Sequence, residues 1–300
     1  MIQSFLQYIR YEKNYSSHTV LSYQIDIEQL RDFIVTQKGD FDPKKLTTDE
    51  LREWVIGLMD VGEKPSSVKR KISAVRSFYK FLNLKGLTDN NPTLKIIAPK
   101  VPKSLPKFFY EKDLDKCLEI SEKNCNFEGV RNSLIIELIY QTGLRRSEVA
   151  NLEDANVDVV KQHLKVLGKG NKERVVPFGT NLAERIEVYR AKRDEEVDVV
   201  TTKFFVHKKG TPLNPMHIYN VVRKLMGAVT TQEKRSPHVL RHTFATSLLN
   251  DGADVKAIKE LLGHETLAAT QVYTHASFDQ IKTIYERTHP RGKSKEELWK

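Results

Sequence analysis

The chain is poor in cysteine: Cys117 and Cys125 are the only two in 300 residues. Their spacing fits no metal module, and two thiols argue no disulfide framework. A reducing, cytoplasmic location is expected. The N-terminus MIQSFLQYIRYEKN has no basic leader ahead of an apolar run, so it is not a signal peptide. No apolar stretch approaches the length that spans a bilayer, and no membrane partner is expected. Internal repeats and low-complexity tracts are absent. So are a phosphate-binding P-loop and a carboxylate cluster able to hold Mg²⁺. The expectation is therefore a protein that works without metal or cofactor.

What is present is a folded composition with an excess of cations. Hydrophobic residues make up 39% and charged residues 29%, which excludes a disordered chain. Three hundred residues suffice for two domains, each with its own core. Lys and Arg number 49 against 39 Asp and Glu, a net charge of +10. The excess is spread over both halves of the chain rather than gathered in a tail. It points to a polyanion, and nucleic acid is the commonest one.

The first hundred residues read as helices. Ser16 and Ser17 precede one helical run, and Thr47 and Thr48 open another with Glu50 in its first turn. The segment from Ser66 to Leu84 is the most informative. Val68, Ile72, Val75, Tyr79 and Leu82 step by four and three, which makes one apolar stripe. Lys69, Arg76 and Lys80 line up beside it. They fit either a solvated helix flank or a helix laid on DNA with its cations on phosphates.

Residues 98–106, APKVPKSLP, carry three prolines and no helical period, so they read as an extended linker. Lys100 and Lys103 are its cations. The expected division is a helical domain over 1–97, a linker over 98–106 and a second domain over 107–300. In the second domain, Val130 to Tyr140 is a strongly apolar helix stopped at Thr142-Gly143. HLKVL (163–167) and RVVPF (174–178) are strand-like and joined by GKGNKE as a hairpin.

Four segments of the second domain set unusual polar groups beside structural punctuation. In TGLRRSE, Arg145 follows a glycine that ends a buried helix, although it could simply cap a helix or pair with Glu148. In GKGNKER, Lys169 sits between two glycines that permit close backbone approach. In SPHVLRH, His238 and Arg241 share a helix face if Ser236-Pro237 starts a helix. In LLGHETLAATQVYTH, His264 precedes Tyr273 by nine residues. Each alone has an ordinary structural explanation. Together they suit a phosphodiester: arginines neutralise it bidentately, histidines donate or move protons, a lysine protonates an alkoxide, and a tyrosine attacks.

The order Arg, Lys, His-x-x-Arg, His, Tyr in these contexts resembles the tyrosine recombinase (phage integrase) family, most closely the Xer recombinases XerC and XerD. The resemblance covers essentially the whole chain. It implies a mainly α fold with a small β-sheet. An N-terminal helical core-binding (SAM-like) domain would precede a mixed α/β catalytic domain. It implies that Arg145 and Arg241 grip the scissile phosphate, that His238 and His264 assist, and that Lys169 protonates the 5′-hydroxyl. Tyr273 would form a 3′-phosphotyrosyl link, and exchange would pass through a Holliday junction. Arg146 stands where the family often has a small or apolar residue; a one-residue shift in register would make it the ligand instead.

The implied partners are a double-stranded DNA recombination site and further protomers, as a homo-tetramer or a hetero-tetramer with a second Xer recombinase. They extend to an FtsK-type DNA translocase. The C-terminal segment is expected to dock onto a neighbouring protomer, at least as far as Pro290. The implied role is resolution of chromosome dimers at cell division. An integrase or resolvase of a mobile element shares the chemistry, and a type IB topoisomerase uses similar steps. A DNA-binding architectural protein without catalysis is the alternative of a different class.

Overall fold

The computed structural model describes residues 1–102, 108–122, 126–168, 172–263 and 275–292. The chain divides into two compact units, Met1–Ser104 and Leu105–Lys300. Each has its own apolar core.

The first unit is helical: α1 (Ile2–Gln7), α2 (Ser17–Lys38), α3 (Thr48–Asp60) and α4 (Pro65–Leu84). Its boundaries follow from local chemistry. The Ser16 hydroxyl accepts from the Thr19 amide at 3.2 Å, and α2 ends at Gly39 with φ of 85°. Thr47 and Glu50 cap α3 reciprocally: the Glu50 amide donates to Thr47 Oγ1 and the Thr47 amide to Glu50 Oε2. Pro65 starts α4, where its missing N–H costs nothing.

The stripe Val68, Ile72, Val75, Tyr79 and Leu82 is fully buried against Ile27, Leu30, Leu51 and Trp54. Each such side chain contributes about 1.5–3 kcal/mol by leaving water. Lys69, Arg76 and Lys80 stay exposed beside it. Residues 98–102 have no regular structure, and Lys100 is exposed. Lys103 lies outside the described residues.

The second unit contains α5 (Glu111–Glu122), α6 (Phe127–Thr142), α7 (Arg146–Asn151) and strands β1 (Val157–Asp158), β2 (His163–Leu167) and β3 (Glu173–Pro177). Then follow α8 (Thr180–Glu196), α9 (Pro215–Val229), α10 (Pro237–Asn250), α11 (Val255–Leu262) and α12 (His275–Thr288). The three strands form an antiparallel sheet in chain order. Strand β3 starts one residue earlier than RVVPF implied, because Glu173 pairs with Leu167. Strand β1 was not anticipated; two residues are too short for an alternation signal.

From Ser133 to Thr142 every residue of helix α6 is buried, so that stretch is enclosed on all sides. It stops at Gly143, whose φ is +62° and whose amide bonds to the Ile139 carbonyl at 2.9 Å. A Cβ at Gly143 would lie 2.5 Å from Phe244 and 2.9 Å from Leu262. Backbone angle and packing thus both demand glycine there.

The described end of the chain packs on its own unit. The Tyr285 hydroxyl donates to Gln141 Oε1 at 3.1 Å. The buried His289 ring stacks on Tyr285, and Arg291 pairs with Glu137 and Asp115.

Candidate active site

The site is organised around one buried carboxylate. Glu148, in the first turn of α7, reaches back so that Oε2 accepts the Arg145 amide at 2.8 Å. Its Oε1 accepts from Arg145 Nη1, also at 2.8 Å. Arg174, on β3, meets the same carboxylate as a fork, Nη1 to Oε1 at 2.9 Å and Nη2 to Oε2 at 2.8 Å. Arg241, one turn into α10, brings Nη1 to 4.0 Å from Oε2.

Main-chain carbonyls aim the same three guanidiniums. Arg241 donates to the carbonyls of Gly143 and Leu262, Arg145 to that of Gly263, and Arg174 to that of Leu261. These acceptors are the open carbonyl ends of α6 and α11, the negative poles of two helices. Gly143 and Gly263, both left-handed with φ of 62°, turn the chain so that these ends converge.

The electrostatics follow. Three guanidinium charges face one carboxylate, so the cluster carries excess positive charge. Burial and the neighbouring Arg145 charge push Arg241 down to about 10. Burial opposes the charged form of Glu148. The hydrogen bonds and charge of Arg174, with those of Arg145, outweigh it and hold the carboxyl below its usual range. Arg241 and Arg174 are deeply buried, whereas the Arg145 side chain keeps 35% exposure and can reach a ligand. A partly exposed arginine backed by a buried one over a fixed counter-ion suits a phosphate group.

Arg145 and Arg241 are thus brought together. Arg145, not Arg146, joins the network; Arg146 is exposed. Ser236-Pro237 does begin a helix, with His238 exposed in its first turn, three residues before Arg241. Lys169, His264 and Tyr273 lie outside the described residues. The residues just before Lys169 and His264 are on the site: Gly263 accepts from Arg145, and a Cβ at Gly168 would stand 3.6 Å from Arg174 Nη1.

Arg174 was not singled out from sequence, and Glu148 only as a possible partner. A signal existed. Arg174 pairs with Val166 on the face that also buries Leu164 and Val176. A charged residue at an inward strand position requires a partner.

In the first unit, Arg76 Nη2 donates to the Ile96 carbonyl at 2.6 Å. Arg76 and Lys80 line an open groove of about 490 Å³ with Asn83, Asn91, Thr93 and Leu94. Lys69 is not part of this lining. Among the described residues no cluster of three or more His, Cys, Asp or Glu could hold a metal, and no helix is long and apolar enough to cross a membrane.

Comparison with known proteins fits this geometry. Residues 107–280 match the phage integrase family, and residues 2–86 match the phage integrase N-terminal SAM-like domain. Tyrosine recombinase XerC of Bacillus licheniformis is 37% identical, with 96% of this chain and 95% of that protein covered. XerC of Bacillus subtilis is 36% identical, covering 97% and 96%. Among solved structures, XerA recombinase is 26% identical with a TM-score of 0.50, covering 97% of this chain and 98% of that one. A XerH site-specific recombinase bound to its difH substrate shares the fold at 21% identity, with a TM-score of 0.68, covering 95% and 85%. The expected fold class holds, down to the SAM-like helical domain and the small sheet of the catalytic one. On the family matches and these relatives, the chain belongs to the phage integrase family of tyrosine recombinases, within its Xer type.

Proposed function

We propose that this chain cuts and rejoins DNA at a specific site through a phosphotyrosine link. The observation that carries the reading is the Arg145–Arg241 pair set around Glu148 by helix-end carbonyls. The pair would hold the non-bridging oxygens of one phosphodiester and stabilise the charge added on attack. The Tyr273 phenolic oxygen forms the new bond to phosphorus. The P–O5′ bond breaks, and Lys169 supplies a proton to the departing oxygen. His238 and His264 hydrogen-bond the phosphate oxygens and handle the phenol proton. The ester conserves the bond energy, so a 5′-hydroxyl from a partner duplex reverses the step without a nucleotide cofactor.

The finer reading is a cytoplasmic tetramer on two sites that passes through a Holliday junction and resolves chromosome dimers, with an FtsK-type translocase as a further partner. The relatives' names, tyrosine recombinase XerC, support the recombinase part of this reading. The C-terminal segment would then exchange onto a neighbouring protomer, and Lys69, Arg76 and Lys80 would rest on phosphates. The same chemistry would serve a mobile-element integrase.

The test is a supercoiled plasmid carrying two copies of a site selected from genomic DNA by binding. Deletion between the sites, with no relaxation of a plasmid lacking them, is expected. Efficient relaxation of the site-free plasmid would point to a topoisomerase instead.

A further inference from the structure

We propose that Arg174 is a positioning residue for DNA cleavage, setting Arg145 and Arg241 through Glu148. This rests on the reading of the site given above. Arg174 lies on β3 at 4% exposure. Its guanidinium makes three hydrogen bonds within the protein: two to Glu148 and one, from Nε at 3.0 Å, to the Leu261 carbonyl.

The fork matters because Glu148 is shared. Each carboxylate oxygen accepts one Arg174 donor and one Arg145 donor. Arg145 alone would hold the carboxylate by one main-chain amide and one arm of a partly exposed, flexible side chain. Two parallel bonds from a planar guanidinium fix the carboxylate plane, and that plane decides where Arg145 Nη1 sits. The contact at Leu261 fixes the last turn of α11. The next two carbonyls, of Leu262 and Gly263, are those that aim Arg241 and Arg145. Arg174 thereby anchors both devices that orient the pair. A buried ion pair is a poor way merely to fill a core, since apolar residues of equal volume usually stabilise as well or better.

The experiment is single-turnover covalent complex formation on a nicked suicide duplex at saturating protein, beside DNA affinity and thermal melting. Arg174→Lys keeps the charge and loses the fork. It is expected to slow cleavage by about ten- to a hundredfold, the cost of a loosened supporting contact, with affinity within about twofold of wild type. A 5′-bridging sulfur leaves without a proton; it should rescue Lys169→Ala and leave the Arg174→Lys defect in place.

Wild-type cleavage by folded Arg174→Lys, or its rescue by the sulfur substrate, would overturn the proposal. If Arg174→Lys melts below the assay temperature, the apolar pair Glu148→Met with Arg174→Met removes both charges of that ion pair. That pair should bind DNA and cleave as slowly; wild-type cleavage by it would equally overturn the proposal. Tyr273→Phe in the same assay separates the two levels. A covalent complex formed by that variant defeats the reading of the site, whereas a dead Tyr273→Phe beside a fast Arg174→Lys defeats only the role of Arg174.

Discussion

Gly143 and Phe244 approach so closely that a Cβ on the glycine would stand 2.5 Å from the Phe244 ring. The contact sits where α6 ends, and the Gly143 carbonyl accepts from Arg241. Gly143→Ala therefore strains a left-handed backbone, crowds the core and shifts an acceptor at the site. A loss of roughly 2–4 kcal/mol is expected in denaturant unfolding. Gly252→Ala is the control: φ is +85° there too, but the added carbon meets nothing within 4 Å. It should cost only about 1 kcal/mol. Equal losses in the two variants would contradict the packing argument.

Glu148→Ala leaves Arg174 and Arg241 buried without their carboxylate. Removing one partner of a buried ion pair costs about 3–5 kcal/mol. In a unit of this size that lowers Tm by roughly 10 °C, measurable by calorimetry. A Tm within a degree or two of wild type would show that the carboxylate is not the keystone of the cluster.

His289 gives the fold a pH dependence of known sign. Its Nδ1 accepts from the Arg291 amide at 3.1 Å, so Nε2 carries the ring proton and faces the Tyr140 carbonyl at 3.3 Å. Burial, with the nearby Arg291 charge, pushes its pKa down to about 3. The unfolded chain takes up the proton near the usual value of about 6.5, so it binds more protons than the folded one between those pKa values. Stability from this group is complete above about pH 6.5 and drains as pH falls towards 3. Between pH 7 and 5 the loss is about 2 kcal/mol. His289→Gln does not titrate, so its Tm should fall less over that interval; parallel curves would exclude His289 as the cause.

Lys80 lines the groove of the first unit beside Arg76. If it rests on a phosphate, Lys80→Ala should weaken binding evenly across DNA sequences and reduce the log–log salt slope by about one. The same is expected for Lys69→Ala, although Lys69 lies outside that groove. An unchanged slope for either would remove that lysine from the DNA face.

Much of this architecture was legible because it is local. The stripe from Val68 to Leu82, the caps at Ser16 and Thr47, the stop at Gly143 and the start at Pro237 each depend on a few adjacent residues, and the structure has them all. What escaped the sequence is non-local. Arg174 and Glu148 are 26 positions apart, and a strand arginine looks solvated until its face is known. The helix-end carbonyls that aim Arg145 and Arg241 carry no residue signature at all. The sequence singled out the Arg145 and Arg241 side chains; the main-chain acceptors that hold them emerged only from the fold.

In the proposed function the guanidinium pair serves a covalent reaction of Tyr273 with DNA. Trapping the wild-type protein on a nicked suicide duplex, digesting both components and sequencing the adducted peptide by mass spectrometry tests it directly. The expected result is a 3′-phosphate carried by Tyr273. A phosphate mapped to another side chain, or no adduct on a duplex that is bound, would contradict it.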